Sequence, residues 1–277
     1  ISMPPPSSGG IAVIEMLNIL EGYDLAAMGH NTAPYLHHLV EAMRRAYLDR
    51  ARHLGDPDFV KVPVDRLTSK PYAKTLAASI EPARASSSVE LGKDIVTAPS
   101  TESDETTHFS VLDRAGMAVV NTYTLEGGYG SRVVVKGAGF LLNNEMGDFN
   151  KKPGETNLTG DIGTAANLIE PGKRMLSSMT PTMVVRDGKV VLLTGSPGGR
   201  TIINTVLAVV LGVAEYGLSG REAVDLPRIH HQWLPDRATI EEDPRVGAEA
   251  IEKLRAMGHE IRVQGRQGDA HSIWIGP

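Results

Sequence analysis

Apolar residues at helical spacing predict that the first part of the chain is helical. In the first predicted helix they recur about every 3.6 positions, at Ile11, Ile14, Leu17 and Leu20. A second helix is predicted to begin at Asn31-Thr32, where a polar side chain can cap free N–H groups and Pro34 fits the first turn. A shorter helix is expected from about Pro71 to Ile80.

The second predicted helix has an amphipathic pattern. Its apolar face is formed by Leu36, Leu39, Val40, Met43 and Tyr47. Its charged residues are expected to lie mostly away from that face, and they are Glu41, Arg44, Arg45 and Arg52.

The pattern changes after residue 80. Residues 81–105 contain three consecutive serines, two prolines and few large apolar residues, which predicts a linker or mobile loop. Strands are then predicted at 106–113 and 117–125, joined by a three-residue loop that ends in Gly116. This loop opposes Asp113 to Met117, and continuing the same register places Thr106 opposite Thr124.

The remainder of the chain mixes strands with helices. Further strands are predicted at 132–142, 181–186, 189–194, 260–264 and 271–275. A helix that is apolar nearly all round, and should therefore be buried, is predicted from about Arg200 to Tyr216, and an amphipathic helix from about Val246 to Met257. Helices followed by strands with helices packed on them predict an α+β layered fold.

The amino-acid composition excludes several classes of function. The chain has 277 residues, a net charge of −5 and 41% hydrophobic residues, as expected for a folded protein, and no basic block that would suit nucleic acid. The absence of cysteine excludes disulfides, thiol nucleophiles and Cys-ligated zinc. Because HExxH and similar metal-ligand spacings are also missing, no metal site is expected. The two ends of the sequence suggest an internal piece of something longer.

Thr106 is the first candidate for chemistry. A threonine hydroxyl is a poor nucleophile unless a base takes its proton, and an α-amine on the same residue can serve as that base. The alternative is a cross-strand pair between Thr106 and Thr124, which is common in sheets. The residues alone favour that structural alternative.

Three polar segments are further candidates. The turn that contains Gly198 and Gly199 lies between a strand and a buried helix, where free N–H groups suit an oxyanion, although a tight turn explains it equally well. Glu145 and Asp148 follow a predicted strand and suit an ammonium group, and a solvated acidic loop is the alternative. The hydroxyls of 177–180 lead into a strand, and a polar turn explains them as well.

Six motifs of this chain occur in the order and spacing of one known family. They are residues 3–10, 106–110, 142–149, 171–179, 195–199 and 230–236. On these residues the chain resembles the gamma-glutamyltransferase family, also called gamma-glutamyltranspeptidase or glutathione hydrolase. The resemblance extends over essentially the whole chain.

The resemblance implies an N-terminal-nucleophile hydrolase with a four-layer αββα sandwich, incomplete here at both ends. Residues 1–105 would be the helical C-terminal part of the large subunit, and 106–277 most of the small catalytic subunit. The precursor would cut itself between Glu105 and Thr106. The activity implied is hydrolysis or transfer of γ-glutamyl groups from glutathione and related amides through a threonine acyl-enzyme, with water, an amino acid or a peptide as acceptor. The resemblance implies no metal and no organic cofactor.

The resemblance also implies roles for individual residues. Thr106 would be the nucleophile, Thr124 its supporting threonine, and the amides of Gly198 and Gly199 the oxyanion hole. Residues implied in binding the substrate are Glu145 and Asp148 for the α-ammonium group, Ser177 and Ser178 for the α-carboxylate, and Glu126 beside the substrate.

Two residues depart from the family pattern. Glu126 replaces an asparagine found in many members, and Thr159 stands where some members place an aromatic gate. The arginine that the family uses for the α-carboxylate is expected in the half of the large subunit that this sequence lacks. That half would be a partner, and a periplasmic or extracellular location is expected. The alternatives are a related amidohydrolase such as a cephalosporin acylase, and an inactive module that binds an anion at Gly198-Gly199.

Overall fold

The computed structural model describes residues 1–95 and 106–276. In these ranges the helices are α1 Gly9–Leu20, α2 Leu25–Met28, α3 Ala33–His53, α4 Val64–Leu67, α5 Lys70–Ala78, α6 Ser88–Leu91, α7 Thr201–Ala214, α8 Gly220–Asp225 and α9 Ala248–Ala256. The strands are β1 Thr107–Leu112, β2 Ala118–Tyr123, β3 Thr182–Arg186, β4 Lys189–Gly195, β5 Ile229–His230, β6 Ala238–Glu241, β7 Ile261–Gln264 and β8 His271–Trp274.

Local capping explains where the long helix α3 begins. The Thr32 side chain accepts a hydrogen bond from the Tyr35 backbone N–H at 3.4 Å, and Pro34 lies in the first turn. The predicted start of this helix is therefore confirmed. Helix α7 is buried along most of its length, as its continuous apolar sequence predicts.

The β1–β2 hairpin has the predicted register. Thr107 pairs with Tyr123, and Leu112 pairs with Ala118. Continuing this register by one position brings Thr106, which precedes β1, opposite the residue that follows β2, Thr124. The two threonines thus meet where the hairpin opens.

Two sheets stack next to a layer of helices. Strands β3, β4 and β8 form one antiparallel sheet, and the β1–β2 hairpin packs against β4 and β8. Gly195 in β4 permits this stacking, because a Cβ there would lie 2.2 Å from the ring of His108. Helix α7 packs on β4 and on α1, which in turn packs on α3. The α+β layered fold is confirmed, and β5, β6 and β7 form a third small sheet.

The strand predicted at 132–142 is wrong. This segment makes one isolated bridge, between Val134 and Leu141. Arg132, Gly137 and Gly139 have positive φ angles, which turn the chain away from an extended path. The apolar side chains that suggested a strand therefore lie in a turning segment.

The charged residues of α3 lie inside the fold, since Glu41, Arg44 and Arg45 are almost fully buried. The two arginines form ion pairs with Glu41, whose carboxylate also accepts a hydrogen bond from the Ser86 backbone N–H. Burial alone would raise the pKa of Glu41, but Arg44, Ser86 and Arg45 lower it to about 2. Mutual pairing thus allows these charges to lie inside the fold.

Residues 81–95 differ from the predicted linker because they pack against the body of the protein. The Ala85 N–H donates to the Met257 carbonyl at 2.8 Å, and Ser88 is fully buried. Gly92 lies so close to Trp233 that a Cβ would be 2.2 Å from the indole ring. The remaining part of the predicted linker, 96–105, lies outside the described residues.

In the two described ranges, 1–95 and 106–276, no helix is long and apolar enough to cross a bilayer.

Candidate active site

One cavity gathers almost all of the residues that the sequence singled out. Its lining includes Thr106, Thr124, Glu126, Glu145, Asp148, Ser177, Ser178 and Gly199. These residues come from the start of β1, the end of β2, the turn at Glu145–Asp148, the segment before β3 and the turn before α7. Residues far apart in the sequence therefore converge on the open end of the β1–β2 hairpin. Gly198 adjoins this lining, whereas Thr159 is exposed and lies outside it.

Three carboxylates form one side of the cavity. Glu126 has a φ angle of 69°, and its carboxylate accepts a hydrogen bond from the Asn144 side chain. Glycine at position 147 leaves room for the Glu126 carboxylate, because a Cβ there would lie 1.8 Å from Glu126 Oε1. The turn Glu145–Asp148 thereby brings Glu145 and Asp148 beside Glu126, and all three line the cavity.

The Glu145 carboxyl is incompletely satisfied. It is buried, and no described group forms a hydrogen bond with its Oε1 atom. Burial raises the pKa of Glu145, the charge of Glu126 adds to this effect, and a hydrogen bond from Thr124 opposes it. A cationic ligand group in the cavity would supply the missing partner and offset the burial of the charge.

The segment that carries Ser177 and Ser178 into the cavity is held in place by the motif at residues 3–10. The backbone N–H and the hydroxyl of Ser8 both donate to the Ser177 carbonyl, at 2.8 and 2.7 Å. Ser7 donates through its hydroxyl to the Met179 carbonyl at 2.6 Å. A Cβ on Gly9 would lie 2.1 Å from the Thr180 hydroxyl, so glycine allows α1 to start directly against this segment. The motif thus fixes the backbone that carries Ser177 and its neighbour.

The Gly198-Gly199 turn has a conformation that suits glycine. The two φ angles are 124° and 53°, and a Cβ on Gly198 would lie 2.5 Å from the Thr201 hydroxyl. The Gly198 carbonyl accepts hydrogen bonds from the N–H and the hydroxyl of Thr201, at 3.0 and 2.7 Å. The turn therefore leads directly into α7, whose N-terminus favours negative charge.

Sequence reasoning missed four polar residues of the cavity, which are Arg50, Asn150, Asn167 and Arg200. Asn167 joins the two sides, since its side chain donates to the Asp148 carbonyl at 2.7 Å and accepts from the Leu176 N–H at 2.9 Å. Arg200 donates to the Gly160 carbonyl at 3.0 Å. A signal for Arg50 was present, because it continues the apolar stripe of α3 one turn beyond Tyr47.

A histidine cluster outside the cavity resembles a metal site in its composition. His37, Glu41 and His259 are buried, with ligand atoms within 4.8 Å of one another. His37 Nδ1 and His259 Nε2 share a hydrogen bond at 2.8 Å, and Glu41 is held by its arginines. Burial lowers the pKa of His259 to about 4 and lowers the pKa of His37 as well. These contacts fit a structural network that joins α3 to α9.

The layered fold, with a threonine at the start of an inner strand, is that of the N-terminal-nucleophile hydrolases, and this expected class is confirmed. Comparison with known sequences identifies the family within this class. The chain belongs to the gamma-glutamyltranspeptidase family, because the profile of that family matches residues 1–277. The family resemblance found in the sequence is thus confirmed.

Individual relatives agree with this assignment. The chain is 48% identical to the glutathione hydrolase proenzyme of Escherichia coli strain K12, covering 100% of this chain and 47% of that protein. A structure of Helicobacter pylori gamma-glutamyltranspeptidase matches with 50% identity and a TM-score of 0.57, over 61% of this chain and 90% of that one. Cephalosporin acylase from Bacillus halodurans shares the fold, with a TM-score of 0.79 at 24% identity, over 99% of this chain and 46% of that one. The chain spans about half the length of the curated relatives it matches.

Proposed function

We propose that this chain is the catalytic part of an enzyme that hydrolyses or transfers γ-glutamyl groups, with glutathione among its donors. The observation that carries the proposal is the cavity itself. It joins a threonine pair to three carboxylates on one side and two serines on the other. A γ-glutamyl group carries an ammonium and a carboxylate on the same carbon, and this arrangement complements both charges.

The proposed reaction begins with hydrolysis of the peptide bond between Glu105 and Thr106, which leaves a carboxylate on Glu105 and a free α-amine on Thr106. The α-amine thus released takes the proton from the Thr106 hydroxyl as its oxygen attacks the γ-carbonyl carbon. Negative charge that develops on the carbonyl oxygen is stabilised by the amides of Gly198 and Gly199. The proton passes to the leaving amine, and the acyl-enzyme remains.

Water or the amine of an amino acid or peptide then attacks the carbonyl carbon of the acyl-enzyme and gives up a proton to the α-amine of Thr106. The Thr106 oxygen leaves with a proton returned by the α-amine, which restores the free enzyme. Thr124 supports the nucleophile from the opposite strand end, a role favoured by the hairpin register. Glu145 and Asp148 bind the α-ammonium group, and Glu126 adds negative charge beside them.

The relatives support the proposal through their names, since the matched curated proteins include glutathione hydrolase proenzymes. In this proposal residues 1–105 end the large subunit and 106–277 form most of the small one. The rest of the relatives' length corresponds to a partner segment that completes the enzyme. A periplasmic or extracellular location is part of the proposal, and cell fractionation tests it.

The test compares two anilide substrates with the protein expressed from its whole open reading frame. Wild-type protein should turn over γ-glutamyl-p-nitroanilide much faster than glutaryl-p-nitroanilide, which lacks the α-amine. Thr106→Ala should abolish turnover, whereas Thr75→Ala, the same change on an exposed face of α5, should have no effect. Preference for the glutaryl substrate would instead support an acylase of the cephalosporin type. Normal turnover by Thr106→Ala would overturn the assignment of the nucleophile.

A further inference from the structure

Asn167 is a buried polar residue that contacts both sides of the cavity. It is 4% exposed, and it belongs to the cavity lining. Its side-chain Nδ2 donates to the Asp148 carbonyl at 2.7 Å, and its Oδ1 accepts from the Leu176 N–H at 2.9 Å. Asp148 ends the carboxylate turn, Glu145–Asp148, and Leu176 begins the serine segment, residues 176–180 before β3. One amide group therefore joins the two segments that form opposite sides of the cavity.

The backbone of Asn167 also binds the carboxylate side. The Asn150 N–H donates to the Asn167 carbonyl at 2.8 Å, and Asn167 Nδ2 lies 3.4 Å from Asn150 Oδ1. Asn167 thus holds the chain beside the carboxylate turn through both its backbone and its side chain, whereas it reaches the serine segment through its side chain. Replacing the side chain therefore separates the two segments and leaves the backbone bond in place.

The short 3-10 turn that ends at Asn167 is fixed to the end of α3. The Thr164 hydroxyl, which precedes this turn, donates to the Ala51 carbonyl of α3. Gly55 lies so close to the turn that a Cβ there would be 2.2 Å from the Ala166 carbonyl oxygen. The amide of Asn167 is therefore presented from a rigid base. Its hydrogen bonds hold the carboxylate turn and the serine segment at a fixed separation.

This separation matters for a γ-glutamyl group, because its ammonium and its carboxylate are attached to the same carbon. Both charges can bind at once only if the groups that receive them lie at the matching distance. A site that holds this distance before the ligand arrives avoids the cost of ordering its own segments during binding. A substrate with only one of the two charges gains nothing from the fixed separation.

We propose that Asn167 is a positioning residue that makes the enzyme selective for substrates with an ammonium and a carboxylate on one carbon. The inference rests on the proposed function and adds to it a specificity-determining residue, which acts through the two segments that it joins. Because its amide holds these segments together, the two charges of the substrate reinforce each other's binding. Without the amide, each side still binds its own charge, but binding both at once requires the segments to be reordered.

The test uses four anilide substrates that differ in the presence of each charged group. γ-Glutamyl-p-nitroanilide carries both charges, glutaryl-p-nitroanilide the carboxylate alone, 4-aminobutyryl-p-nitroanilide the amine alone, and butyryl-p-nitroanilide neither. The coupling ratio is the product of kcat/KM for the first and last substrates divided by the product for the other two. Since the amount of folded enzyme cancels from this ratio, a loss of folded protein in a variant does not change it.

Wild-type protein from the whole open reading frame should give a coupling ratio well above one. Asn167→Ala should lower this ratio about tenfold, a change within the range that double-mutant cycles give for groups in one network. Asn167→Asp keeps the acceptor for the Leu176 N–H and loses the amide donor, so it should lower the ratio as well. Any general effect of the new carboxylate on amine binding cancels between the two substrates that carry an amine.

Asn18→Ala is the matched control, because this amide also joins two parts of the fold but lies outside the cavity lining. Asn18 Nδ2, on α1, donates to the Thr68 carbonyl at 2.8 Å. This variant should leave the coupling ratio within about twofold of the wild-type value. An unchanged ratio in Asn167→Ala, or a wild-type ratio close to one, would overturn the inference alone. Failure of the wild-type protein to turn over γ-glutamyl-p-nitroanilide would overturn the proposed function and the inference with it.

Discussion

Replacing Glu145 by glutamine should make the protein more stable and less active. The carboxyl is buried, its Oε1 has no hydrogen-bond partner among the described residues, and Glu126 lies nearby. The pKa of Glu145 is higher in the folded state than in the unfolded chain. Ionisation of this carboxyl therefore lowers the free energy of unfolding as pH rises through the folded-state pKa. Glutamine cannot ionise, and it removes this loss at neutral pH.

The magnitudes follow from the same contacts. An unsatisfied buried polar group costs about 1–3 kcal/mol and a charged one costs more, and glutamine removes only this excess. Glu145→Gln should therefore raise the free energy of unfolding by about 1 kcal/mol at pH 7, which corresponds to about 2–4 °C in Tm for a domain of this size. Loss of a charge-assisted contact to the substrate ammonium costs about 1.5–3 kcal/mol, so kcat/KM should fall at least about tenfold.

Two measurements check this prediction. Thermal unfolding between pH 5 and pH 8 should show a difference in Tm between variant and wild type that grows with pH. Kinetics should show the loss with γ-glutamyl-p-nitroanilide but not with glutaryl-p-nitroanilide, which lacks the amine. Glu242→Gln, the same change at an exposed position, serves as the control. A variant that is less stable than wild type, or equally impaired on both substrates, would refute the reasoning.

Three further variants test other parts of the account. Asp148→Asn should lower kcat/KM for γ-glutamyl-p-nitroanilide at least about tenfold, because one charge-assisted contact is lost, and equal loss with the glutaryl substrate would indicate a structural role. Gly9→Ala should raise KM, since its Cβ would displace the serine segment from α1, and an unchanged KM would contradict this packing. Glu15→Gln should make stability less dependent on pH, because burial and Asp49 raise the pKa of Glu15 well above its ordinary value of 4.5. Urea unfolding should show the gap between this variant and wild type widening with rising pH, and a constant gap would refute the argument.

Local features were predictable from the sequence. The hairpin register followed from a three-residue loop and is confirmed from Thr107–Tyr123 to Leu112–Ala118. The start of α3 followed from a capping threonine and a proline. In both cases neighbouring residues determine the conformation, so the pattern alone is sufficient.

Non-local packing was less predictable. The burial of the charged residues of α3 could not be predicted, because their partners, including Ser86 and Asp236, lie far away in the sequence. Arg50 was missed for the same reason, since Ser8 and Ser178 are brought to it by the fold. The turn Glu145–Asp148 and the segment that contains Ser177 and Ser178 likewise meet at one cavity through tertiary contacts. The family motifs indicated this arrangement, whereas the spacing of the residues alone did not.

The central claim is that Thr106 becomes an N-terminal nucleophile. Intact-mass measurement on freshly purified protein from the whole open reading frame, followed over time, tests it most directly. The account predicts two pieces, or one that converts into two on standing, with the cut between Glu105 and Thr106 and no cut in Thr106→Ala. Cleavage at a different bond that leaves Thr106 internal, combined with γ-glutamyl turnover, would contradict it.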